Sequence, residues 1–102
     1  MKIVKRILIA ITILFYGCST EQPTESVKLN LLYDEIWDHQ MISFPTYATY
    51  VGYPGQNGRW SDPSLQFLEA YEVSRKNFLR RLQNIDQSEL TEREVLGLKL
   101  IT

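Results

Sequence analysis

The chain has 102 residues, is 44% hydrophobic, 23% charged and 12% aromatic, and carries 11 basic against 12 acidic side chains. That near-neutral balance excludes a strongly basic nucleic-acid binder, and the length allows one small domain at most. One Cys and one His exclude an intrachain disulfide and most zinc sites, which draw three or four ligands mainly from these residue types.

Residues 1–17 read as an export signal. Lys2, Lys5 and Arg6 supply a positive start, and Ile7 to Tyr16 is an apolar run broken only by Thr12. Ten residues rise about 15 Å as a helix, half of a ~30 Å hydrocarbon core, so the run suits a signal peptide better than a membrane span. Phe15-Tyr16-Gly17-Cys18 follows. It resembles the lipobox of bacterial lipoproteins, in which the Cys becomes the lipidated first residue of the mature chain. The resemblance implies Cys18 as the lipidation site and the lipid as the link to the membrane. Ser19, in place of an Asp, implies the outer membrane over the inner. Loss of the signal removes three basic residues and no acidic one, so the mature chain is net negative and disfavours nucleic acid. Residues 18–26 then form a lipidated, polar tether with nothing large to bury.

Residues 27–102 read as all-α. A first helix is predicted from Val27 to Ile42, with Ser26 as its N-cap. Leu29, Leu32, Ile36 and, off to one side, Trp37 and Met41 give it an apolar face. Pro45 ends that helix, because the residue before a proline is pushed out of the helical region. It can itself open a short turn to Tyr50, stopped by Gly52. Turn residues fill 53–58. A long helix is predicted over 63–85, with Asp62 as N-cap and Pro63 at its first position. Leu68, Tyr71, Arg75, Phe78, Leu82 and Ile85 mark its inner stripe, and Glu72 and Lys76 are spaced as an ion pair. Thr91 and Glu94 match a capping box, and Val95, Leu96, Leu98, Leu100 and Ile101 follow as another apolar helix.

Few residues carry candidate chemistry. His39 stands one helical turn from Glu35, but two ligands do not hold a zinc ion, so a helix-surface or inter-helix hydrogen-bonding His is expected. Asp34, Glu35 and Asp38 read as a solvated acidic face, and Arg75-Lys76 and Arg80-Arg81 as a solvated basic one. Gly52, Gly55 and Gly58 follow no strand and precede no Lys-Ser/Thr, which excludes a nucleotide loop. Tyr47, Tyr50, Tyr53 and Trp60 gather in one loop region, where they could stack on a peptide or glycan or pack inside a larger body. No catalytic residue and no cofactor is expected in this chain.

From Leu32 to Leu100 the sequence resembles the N-terminal region of the bacterial family known as domain of unknown function 885. The resemblance rests on Asp34-Glu35-Ile36-Trp37, on the Pro45, Ala48 and Gly52 spacing, and on Trp60-Ser61-Asp62-Pro63-Ser64. It extends to Leu82-Gln83-Asn84-Ile85-Asp86 and Leu90-Thr91-Glu92-Arg93-Glu94. Members are longer, mostly helical, often exported lipoproteins, and similar to zinc metallopeptidases with a His-Glu-x-x-His helix. That motif is absent here, so zinc and activity are implied only for a full-length relative. The resemblance implies a truncated front of a larger helical fold. Two to three helices and one long aromatic loop cannot enclose their own apolar stripes. The isolated mature chain, residues 19–102, is therefore expected to lose structure gradually on heating; a sharp cooperative melt followed by circular dichroism would contradict this.

Overall fold

The computed structural model describes residues 21–102, so the predicted signal peptide and Cys18 lie outside the described residues. The described chain is helical, with no strand. It contains α1 (Glu25–Ser43), α2 (Pro45–Tyr50), α3 (Leu65–Gln83), a 3-10 turn (Gln87–Glu89) and α4 (Glu92–Ile101). The all-α expectation holds.

The first helix starts earlier than its sequence suggests. Thr24, not Ser26, is the N-cap, and its hydroxyl accepts from the Val27 amide at 3.3 Å. Two residues able to cap stand close together; the upstream one caps, and Ser26 lies inside the first turn. Its hydroxyl donates to the Glu94 carboxylate at the start of α4. The helix therefore begins at Glu25, inside the span predicted as tether, and Glu25 occupies the first turn, where a negative charge suits the helix dipole. Glu25 pairs with Lys28 and accepts the Asp86 amide at 2.9 Å, so one carboxylate ties α1 to the start of the 3-10 turn.

The core is small. Leu29 and Leu32 of α1 meet Leu82 of α3 and Leu98 of α4, flanked by Tyr33, Ile36, Phe78, Ile85 and Leu90. Trp37 falls outside this face and is 45% exposed. Met41 is buried apart from the cluster, near the chain reversal where Pro45 and Ala48 are also buried. Tyr33 reaches towards α4, and a β-carbon at Gly97 would lie 3.4 Å from its hydroxyl. That hydroxyl is buried without a hydrogen-bond partner. Burial, with the nearby Glu94 charge second, raises its pKa.

The long helix is shorter at both ends than predicted. Asp62 does not cap it; its carboxylate accepts the Ser64 amide at 2.8 Å in a local turn. Ser64 caps instead, accepting from Phe67 N at 3.2 Å, and Pro63 stays outside the helix. Asn84 is the C-cap, and Asp86 then caps the 3-10 turn through Ser88. Leu68 is 47% exposed, because Phe67 turns inward in its place. Glu72 pairs with Arg75, three residues on, and not with Lys76. The capping box of α4 forms as expected, with the Thr91 and Glu94 side chains each bonding the other's backbone amide.

Arg81 reaches across from α3 and holds Glu35 of α1 with two hydrogen bonds, the first at 2.7 Å. The guanidinium hydrogen bonds lower the Glu35 pKa. Lys28 does the same first for Glu25, and Ser26 for Glu94. Depressed carboxyl groups stabilise the fold above their unfolded value, about 4.3, and stop doing so as pH falls through the folded values. The helical circular-dichroism signal should therefore be flat above about pH 5 and decline as pH drops below about 4. A Glu35→Gln variant should show a weaker decline.

Candidate functional site

The aromatic region is built by the end of α2. Gly52 adopts φ +80°, a left-handed conformation that suits glycine. The Tyr53 amide donates to Ala48 O at 2.8 Å and the Gly52 amide to Thr49 O at 3.2 Å. These two bonds form a Schellman ending, which satisfies the last carbonyls and reverses the chain. Gly55 makes a second turn at φ +85°. Beyond it, the Arg59 amide donates to Gln56 O at 3.0 Å, and its guanidinium donates to the Gln56 side chain at 2.7 Å.

The loop closes on the start of α2. The Ser61 amide donates to the Thr46 hydroxyl at 3.3 Å, and the Thr46 amide donates to the Ser61 hydroxyl at 3.4 Å. The two hydroxyls are 3.1 Å apart. The loop is thus a closed lobe presenting its outer side chains to solvent.

The four aromatic candidates divide by environment. Tyr50 and Trp60 are 86% and 89% exposed, and Tyr47 is 44% exposed. Tyr47 and Tyr50 border a shallow hollow with Thr46 and Ser61. Trp60 borders a second one with Thr49, Asn57 and Arg59. Tyr53 has another use, since its hydroxyl donates to Asp38 of α1 at 2.8 Å. That hydrogen bond, with burial second, raises the phenol pKa. Phe44 lies behind the lobe, edge-on to Phe67 at 5.7 Å and to Tyr71 at 4.8 Å.

The chemistry-bearing residues of α1 are drawn to separate partners. The His39 ring stacks on Tyr71 at 5.5 Å and meets Phe78 edge-on at 5.2 Å. It packs between helices among rings, where the sequence left a helix-surface or an inter-helix hydrogen-bonding role open. Glu35 is taken by Arg81 and Asp38 by Tyr53. Among the described residues no group of three His, Cys, Asp or Glu could hold a metal. Arg80 hydrogen-bonds Asn77 on the surface, as a solvated residue should. Arg81 departs from that reading, because its helical spacing is silent about a carboxylate on another helix. No helix among the described residues is long and apolar enough to cross a membrane.

Trp60→Ala and Tyr50→Ala should leave the helical signal within a few per cent of wild type, because neither ring is enclosed. Phe44→Ala should lower it, since buried aromatic truncation costs about 3–5 kcal/mol and a half-buried ring somewhat less. Far-ultraviolet circular dichroism of the three variants checks this.

No protein-family model, curated protein or solved structure matches the chain.

Proposed function

We propose that the chain is an exported lipoprotein whose helical body is the leading part of a larger helical fold of the domain of unknown function 885 type. It is held to the cell envelope by a lipid on Cys18, on the outer membrane, and has no hydrolytic activity of its own. The observation that supports this is apolar surface on the helices. Leu31 is 61% exposed, Leu65 70%, Val73 69%, Leu96 59% and Leu100 80%. Large apolar surface of this kind marks faces that other structure covers. In the proposed fold, further helices supply that cover, and a His-Glu-x-x-His helix brings the zinc.

The test is to sequence the genomic DNA beyond codon 102 in all three frames. The expected result is a helical continuation that includes His-Glu-x-x-His. A stop codon followed by an unrelated gene would overturn the reading. Lipid labelling tests the anchor separately: Cys18→Ala should abolish it, and unchanged labelling would exclude Cys18 as the anchor.

A second reading is a stand-alone envelope module that binds peptide or glycan through the aromatic lobe. The near-complete exposure of Tyr50 and Trp60, beside the hydrogen-bonding groups of Thr49, Asn57 and Arg59, favours it. On this reading Trp60→Ala and Tyr50→Ala each weaken retention on peptidoglycan or a peptide library about tenfold, in the range of one lost ring stack.

A further inference from the structure

The described residues include four asparagines, and their surroundings differ. Asn30 and Asn77 lie inside α1 and α3, with their side chains bonded to Ser26 O at 2.8 Å and to Arg80 at 2.7 Å. Asn84 caps α3, and the amide that follows it, of Ile85, donates to Leu82 O at 3.2 Å. Asn57 is exposed in the turn between Gln56 and Arg59. Among the described residues its side-chain amide has no hydrogen-bond partner, and the Gly58 amide donates to no acceptor. The turn is closed one residue later, by the Arg59 amide on Gln56 O at 3.0 Å.

An untied backbone amide beside an untied Asn side chain sets a nucleophile next to an electrophile. Gly58 N attacks Asn57 Cγ, and the new N–C bond closes a succinimide ring while the Cγ–Nδ2 bond breaks. Nδ2 leaves as ammonia, taking the Gly58 amide proton. Water then adds to one ring carbonyl and opens the ring, giving aspartate or isoaspartate; nothing is oxidised or reduced. Inside a helix the next amide is held by a carbonyl one turn back, so Asn30 and Asn77 are protected. Leu31, Phe78 and Ile85 also crowd the nitrogen that would attack, whereas Gly58 leaves it bare. We propose that the Asn57-Gly58 step is a spontaneous modification site that adds a carboxylate to the aromatic lobe. The charge arrives on the rim of the hollow that Asn57 shares with Arg59 and Trp60. It gives the Arg59 guanidinium, now bonded to the neutral Gln56 side chain, an anionic neighbour.

The test incubates the full chain in neutral buffer at physiological temperature and follows it by peptide mapping with mass spectrometry. The expected result is steady conversion of Asn57 to aspartate and isoaspartate, at a rate close to that of a free peptide of residues 54–60. Conversion should be faster at mildly alkaline than at mildly acidic pH, because the attacking nitrogen must lose its proton. Asn30, Asn77 and Asn84 should convert at least about tenfold more slowly, since their neighbouring amides are freed only by local opening. Gly58→Val should slow Asn57 at least about tenfold, because a β-branched side chain crowds the nitrogen. The φ of Gly58 is not positive, and a β-carbon there would meet nothing within 4 Å, so this variant leaves the fold intact. Asn57 remaining intact while the free peptide converts, conversion no faster than that of the other three asparagines, or an unchanged rate in Gly58→Val would each overturn the proposal.

Discussion

One seam of leucines joins α1, α3 and α4. Leu29 and Leu32 stand three residues apart on α1, and against them close Leu82 from α3 and Leu98 from α4. The polar ties of α1 to these helices lie around this contact. Ser26 and Glu94 bond at one end of α1, Glu25 holds the start of the 3-10 turn, and Arg81 grips Glu35 further along. These polar ties are exposed or half-exposed, so each contributes little alone. Their role is to fix rotation and register around a hydrophobic contact too small to specify both.

The other half of α1 is organised by aromatic rings. Phe44, Phe67, Tyr71, His39 and Phe78 form a chain of ring contacts running along α1 and α3. Pro45 starts α2 directly after α1, and the Phe44 ring before it faces α3. Phe44 packs against Phe67 and Tyr71 and also borders the hollow that Tyr47 and Tyr50 line. Packing and display are thus split between neighbouring residues of one short segment.

What was legible in the sequence was local. The Thr91 and Glu94 capping box, the proline-initiated α2 and the glycine after it depend on residues within a few positions of each other, and all three formed. Where two capping residues stand close together, as at Thr24 and Ser26 or Asp62 and Ser64, the local pattern does not say which one caps. Tertiary partners were illegible for the same reason. Nothing near Arg81 in sequence points to Glu35, and nothing near Tyr53 points to Asp38. In the aromatic region, composition identified the rings, but only the chain path separates Tyr53 from Tyr50 and Trp60.

Gly97 has a geometric consequence for α4. It turns towards Tyr33 of α1, whose hydroxyl would meet a β-carbon in its place at 3.4 Å, an ordinary contact distance. With Leu98 locked inward beside it, the helical repeat of about 100° per residue places Leu96 and Leu100 about 160° away, on the opposite side. Their exposure follows from the burial of Leu98, so the outward leucine pair is part of the helix's setting.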